Sequence, residues 1–292
     1  MSADAPAQTR YLITGAAGML GQDLQLALAG RDVTALRRAD LDITDADAVA
    51  AAVEGHDVVI NAAAYTAVDQ AEDDEDAAYA INATGTEHLA RACAATGARL
   101  VHYSTDYVFQ GDASEPYDED APRDPLNAYG RTKAAGEQLA LDAHPEGVYV
   151  LRTAWLYGGG GPNFAKTMVK LAETRPEITV VDDQLGQPTY TRDLAEQTVA
   201  LLDADAPAGV YHATNSGECT WFDFAREIFR LAGHDPERVQ PTDSSAFERP
   251  AARPAYSVLG HRRWLEAGIP EMRDWREALA DAAENGVLTS RW

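Results

Sequence analysis

Short, nearly all-apolar runs alternate along the chain with longer stretches whose apolar residues recur at helical spacing. RYLITG (10–15), DVTAL (32–36), DVVINAA (57–63), the start of LVHYSTDYVF (100–109) and VYVLRTAWLYG (148–158) are of the first kind. DVVINAA in particular reads as a strand covered on both faces, where neither face needs polar side chains. Helices are expected between them, over about 18–29, from Thr44 or Asp45 to a stop at Gly55, over about 72–95, and from Ala128 onward. Strand and helix in strict alternation predict an α/β fold, a Rossmann-type doubly wound parallel sheet with right-handed crossovers. The acidic, proline-bearing run GDASEPYDEDAPRDPL (111–126) is the longest expected loop.

Beyond about residue 155 the pattern loosens. Helices are expected near 163–174, 190–203, 221–232 and 271–284, with short strands in ITVVDD (178–183) and GVYHAT (209–214). With no Ser/Gly linker and no internal repeat, two intimately packed lobes are expected. One is a dinucleotide-binding lobe over 10–152, joined by about 178–212. The other is a smaller, mixed α/β substrate-binding lobe from 153–177 and 213–292. Residues 1–9 read as a flexible tail.

The chain's 292 residues, 46% of them hydrophobic, can bury a large core. No apolar run approaches a membrane span, and MSADAPAQT lacks the basic start and apolar centre of a signal peptide. Two cysteines, Cys93 and Cys219, show no metal-ligand spacing, so a cytoplasmic location in a reducing compartment is expected. The net charge of −23 opposes nucleic acid and anionic membranes as partners. Acid excess with only three lysines also fits a halophilic setting, where concentrated salt screens self-repulsion.

Candidate chemistry starts at LITGAAGMLGQDL, which sets Gly15, Gly18 and Gly21 at the first strand–helix junction. The first glycine permits a tight turn, the second lets backbone approach a pyrophosphate, and the third lets helix pack on strand. Arg37 and Arg38 end the second strand, where an acidic residue would take a ribose 2′-hydroxyl and arginine a 2′-phosphate. NADPH is therefore expected, with NADH as the alternative, and Asp42 and Ile43 are placed along the adenine. Further on, AYGRTKAAGEQL (128–139) sets Tyr129 and Lys133 on one helical face. One of only three lysines among 24 basic residues stands four positions after a tyrosine. An adjacent cation would bring a phenol down from about 10 into a range useful for proton transfer.

Together with INAAAYTAVDQAE (60–72), HYSTDYVF (102–109), NAYGRTKAAGE (127–137), RTAWLYG (152–158), DDQLGQPT (182–189) and ARPAYSVL (252–259), these stretches resemble the dTDP-4-dehydrorhamnose reductase family of extended short-chain dehydrogenases/reductases. The resemblance runs from about Tyr11 to the last helix. It implies NADPH-dependent reduction of the 4-keto group of dTDP-4-dehydro-L-rhamnose to dTDP-L-rhamnose. Tyr129 is implied as general acid, Lys133 as the partner of the nicotinamide ribose, and Thr105 as a hydrogen-bonding group to the substrate carbonyl and to Tyr129. Met19, Leu20, Ala62, Ala63 and Ala64 are implied along the cofactor. Asp106, Tyr107, Trp155, Asn163, Lys166, Gln187 and Arg253 are implied near the nucleotide sugar.

Related 4,6-dehydratases carry Asp-Glu after the threonine, whereas Asp106 is followed here by Tyr107, which argues against dehydration. Tyr256 stands where family members usually carry Asn. Some bacterial members bind Mg²⁺ at a dimer interface near positions matching Asp23 and Asp193. With no third ligand among 47 acidic residues, no metal is expected, and a homodimer is left open. A reductase or epimerase of another 4-keto nucleotide sugar, or a non-catalytic regulatory subunit of the same fold, are the alternatives.

Overall fold

The structure, a computed structural model, describes residues 8–289, so most of the expected N-terminal tail lies outside the described residues. Six parallel strands form the main sheet: β1 (Arg10–Thr14), β2 (Asp32–Leu36), β3 (Val58–Asn61), β4 (Arg99–Thr105), β5 (Val148–Thr153) and a sixth strand, Gly209–His212. Their spatial order is β2-β1-β3-β4-β5-sixth, so the chain reverses its direction of travel between β1 and β3. In such sheets ligands bind beyond the carboxyl ends of the strands at this reversal. The register aligns Thr14 with Asn61 and Asn61 with His102 across the three central strands.

Side-chain alternation explains why both faces are covered. Tyr11 and Ile13 pack with Leu20, Leu24, Leu194 and Leu201, whereas Leu12 between them packs with Val49, Leu89, Cys93 and Ala140. Helices Met19–Ala27 and Thr191–Asp203 thus cover one face, and Ala46–Val53, Gly85–Thr96 and Ala128–Ala143 the other. Asp45 caps the helix Ala46–Val53 by accepting from the backbone N–H groups of Asp47 and Ala48. Both cysteines are buried.

A second core gathers Met168, Phe224, Phe229 and Trp275. Ile178–Val181 pairs in parallel with Val239–Thr242 and contributes Val180 to this core, so that part of 178–212 packs apart from the main sheet. Conversely Trp264, Ile269 and Met272, from the last third of the chain, close over the first core.

Two expected helices differ. The one over 271–284 begins only at Trp275, where Asp274 accepts from the Arg276 backbone N–H as its cap. The one over 72–95 resolves into a 3₁₀ turn (Gln70–Glu72), an α turn (Glu75–Tyr79), a π segment (Ala80–Thr84) and the helix Gly85–Thr96. The wider turn points Asn82 inward, where its amide accepts from Tyr65 N and donates to Tyr65 O and Thr132 Oγ1. Among the described residues, no helix is long and apolar enough to cross a membrane.

Candidate active site

β1 ends at Thr14 and the chain turns through Gly15 at φ 69°. A Cβ at Gly15 would sit 2.6 Å from the Ala62 carbonyl carbon, and one at Gly21 would sit 2.4 Å from the Gly15 oxygen. Neither position tolerates a side chain. Gly18 is the N-cap of the following helix and offers no side-chain acceptor, so its first-turn N–H groups suit an anionic ligand. Ala62, Ala63 and Ala64 follow β3 directly across the reversal point. These residues fit a dinucleotide pyrophosphate.

Around this turn the expected residues divide. Met19 is half-buried beside Asn163, whose Nδ2 lies 3.6 Å from its sulfur, whereas Leu20 belongs to the sheet core. Ile43 likewise is core, pressed on Gly85. Asp42 accepts from Thr44 N and Oγ1, which hold its carboxyl below the usual range. Arg37 is already engaged by Asp40, with Nε 2.9 Å from the carboxylate, while Arg38 is exposed.

The chemistry-bearing residues gather where β4 ends and the helix Ala128–Ala143 begins. Asn127 caps that helix by accepting from Gly130 N at 2.8 Å and donates through Nδ2 to Ala252 O at 2.8 Å. A Cβ on Gly130 would lie 2.2 Å from the Tyr107 carbonyl oxygen, so glycine lets the helix press onto residues 106–108. Tyr129 consequently meets Tyr107 edge-on at 5.9 Å. Thr105 Oγ1 donates to Asp106 Oδ1 at 2.9 Å and accepts from Tyr107 N. Asp106 is buried, and its Oδ2 has no hydrogen-bond partner.

Burial, with Asp106 nearby, pushes the Tyr129 phenol up to about 12, contact with Thr105 acting the other way. The lysine-lowered phenol expected from the sequence is not present in this state. Lys133 Nζ turns instead into the sheet, donating to Tyr103 O at 2.6 Å and lying 3.3 Å from His102 Nε2. Desolvation lowers Lys133 to about 8.

Burial also raises Asp106 to about 6 from 3.8, with nearby Ser257 and the Thr105 hydrogen bond opposing. The folded state therefore binds the proton more tightly, and the stability from this group is present below pH 3.8 and lost as pH rises through about 6. Asp106→Asn is expected to gain stability relative to the parent as pH rises across that window. Melting curves at pH 4 to 8 check this, and a pH-independent difference would refute it.

Beside Tyr107 opens a cavity of about 610 Å³, lined also by Phe164, Trp221, Phe247, Arg249 and Arg253. Asp69 bridges the two arginines, 3.4 Å from Arg249 and 3.0 Å from Arg253. Arg253 therefore reaches the cavity, but three other expected contacts are engaged internally. Gln187 accepts from Thr214 Oγ1 and Leu259 N. Asn163 caps its helix and donates to Gly158 O, and Lys166 donates to Gly159 O at 2.6 Å. Trp155, at φ 46°, stacks on Trp221 with ring centres 3.6 Å apart, and Trp221 is the ring that faces the cavity. Tyr256 donates its backbone N–H to Gly111 O. Asp193 pairs with Arg273 and Asp23 accepts from Thr191 Oγ1. Among the described residues no three His, Cys, Asp or Glu side chains are grouped to hold a metal.

A glycine cradle at the reversal of a parallel sheet, with Thr, Tyr and Lys gathered at the next strand end, defines a dinucleotide-dependent oxidoreductase of the Rossmann type. The family model described as the RmlD substrate binding domain matches residues 9–287. The chain is 53% identical to a dTDP-4-dehydrorhamnose reductase of Streptomyces griseus over 94% of this chain and 92% of that one. It is 50% identical to a dTDP-4-keto-6-deoxy-D-glucose reductase of Streptomyces niveus over 94% and 96%. A dTDP-4-dehydrorhamnose reductase from Bacillus anthracis, solved in complex with NADP, superposes with a TM-score of 0.92 at 42% identity, covering 96% of this chain and all of that one. The chain belongs to the dTDP-4-dehydrorhamnose reductase family.

Proposed function

We propose that the chain reduces the 4-keto group of dTDP-4-dehydro-L-rhamnose with NADPH, yielding dTDP-L-rhamnose. The observation that carries this reading is the junction of Tyr129 with Tyr107, which joins the proton-bearing helix to the cavity that also presents Arg249 and Arg253. Bound NADPH supplies hydride to the carbonyl carbon. Tyr129, protonated across the physiological range, gives the proton to the carbonyl oxygen as charge develops there. Thr105 orients that oxygen, and the arginines take the diphosphate by charge-assisted hydrogen bonds. Tyr107 and Trp221 offer apolar faces to sugar and base.

Support for NADPH over NADH comes from Arg38, exposed at the end of β2, and from the relative solved with NADP. Arg38→Ala is expected to raise KM for NADPH about tenfold, roughly 1.4 kcal/mol of lost binding. Arg37→Ala should matter less, because Asp40 already holds that guanidinium. Equal KM values for NADPH in the Arg38 variant and its parent would refute the assignment.

The Streptomyces niveus relative supports a second reading, reduction of dTDP-4-keto-6-deoxy-D-glucose. Purified chain, NADPH and each keto sugar, with dTDP- and UDP-linked forms compared, decide between them by kcat/KM. The net charge of −23 supports running these assays in concentrated salt, where the surface repulsion is screened.

A further inference from the structure

A line of buried polar groups crosses the sheet beneath the site and ends on Lys133. Asn61 Oδ1 accepts from the Ala63 backbone N–H at 3.2 Å and from Thr14 Oγ1 at 2.7 Å. A backbone N–H can only donate, so the amide orientation is set, and Asn61 Nδ2 faces His102 Nδ1 at 3.2 Å. On its other side His102 Nε2 lies 3.3 Å from Lys133 Nζ. The ring is fully buried, and burial beside Lys133 holds it far below its ordinary value, so it is neutral.

A neutral imidazole has one donor nitrogen and one acceptor. Here both nitrogens face groups that are donors if the lysine is an ammonium. Asn61 claims Nδ1 as its acceptor, which leaves the proton on Nε2, aimed at Nζ. That N–H finds a partner only in the lone pair of an uncharged amine. The amine can still donate to Tyr103 O, so this protonation state leaves every bond in the line made.

We propose that His102, oriented by Asn61, is a positioning residue that presents its Nε2–H to Lys133 and holds the lysine nitrogen as an uncharged amine in the ligand-free protein. The other groups around Nζ oppose this little. Glu137, one turn along the same helix, favours the ammonium but is bound by Arg152 from β5 and by Arg123 from the preceding loop. Tyr129 lies on the same helix, Asp106 beyond the end of β4 faces Tyr129, and β3 contributes only the neutral Asn61. Desolvation acts in the same direction as the His102 N–H. The consequence for turnover rests on the proposed reductase reading: a lysine exchanging its proton near neutrality can restore the proton that Tyr129 gives up.

With only three lysines, a chain labelled at lysine Cε gives three resonances, assigned by Lys133→Arg, Lys166→Arg and Lys170→Arg. Burial brings Lys133 down to about 8, and with the His102 N–H added it is expected to titrate below neutrality, so that at pH 7 the nitrogen is the uncharged amine. In Asn61→Asp the new carboxylate accepts from Nδ1–H, the tautomer inverts, Nε2 becomes an acceptor, and Lys133 should move up toward about 10.4. Asn61→Leu, which adds no charge, should move it in the same direction by freeing the tautomer. Nitrogen-15 histidine spectra of the unmodified protein, with His102→Gln to identify the signal, should show the proton on Nε2. A proton on Nδ1, a Lys133 still charged at pH 7, or no movement in both Asn61 variants would overturn the proposal. None of these readouts uses a substrate, so failure of the keto-sugar assays would leave them interpretable.

Discussion

Tyr129→Phe is expected to lower kcat by about 10²–10⁴-fold, the span that a positioned general acid contributes, while NADPH binding stays unchanged. The substitution removes one oxygen and keeps the ring that meets Tyr107 edge-on, so packing should survive. Stability should hold as well, because the hydroxyl sits in a site whose burial already disfavours its ionised form. The phenol is protonated up to about pH 12, so loss of proton donation cannot be imitated by a pH change within the working range. Stopped-flow or steady-state oxidation of NADPH with keto sugar measures the effect, and fluorescence titration of NADPH measures binding. Turnover within a few-fold of the parent would remove Tyr129 from its assigned role.

The second large effect falls on stability. Glu137 and Arg152 form a bidentate pair with side chains 0% and 3% exposed, at 2.9 and 2.8 Å. Arg123 adds a third contact to the carboxylate, and Arg152 also donates to Glu119 O. Glu137→Ala strands a buried guanidinium, and breaking such a pair costs about 3–5 kcal/mol. At roughly 2–4 °C per kcal/mol for chains somewhat shorter than this one, Tm should fall by about 10 °C. Glu137→Leu combined with Arg152→Met should be more stable than either single change, because neither of the two fully buried charges is left without the other. Thermal unfolding of the four variants decides, and a single variant as stable as the parent would show that the pair contributes nothing.

The sheet was legible because β3 is four buried residues in a row and β1 alternates between two cores, patterns that leave direct marks in the sequence. The glycine turn was legible for a related reason, since only glycine fits at Gly15 and Gly21. What residue type alone could not disclose was the direction in which a polar side chain is spent. Gln187, Asn163 and Lys166 carry ligand-binding groups, yet backbone carbonyls, backbone N–H groups and Thr214 occupy them. Trp221, Arg249 and Asp69 were missed for the opposite reason. Trp221 stands at the start of a helix with a strongly apolar face, where an aromatic reads as core. Its partner Trp155 looked like the sugar platform, but its left-handed backbone turns it onto Trp221. The π segment escaped because a shift in backbone hydrogen bonding leaves the apolar periodicity of a helix nearly intact. One sign was Asn82, a polar residue on the buried side of the helical run.

Asn127 grips the cavity-lining strand of chain by the main-chain oxygen of Ala252, not by any side chain. An engineer wishing to redirect the enzyme toward another sugar nucleotide therefore has latitude at Phe247 and Glu248, which line the cavity and take no part in that grip. Libraries randomised at those two positions should retain the alignment of Tyr129, whereas a proline or a deletion that moves the 252 carbonyl should lose it.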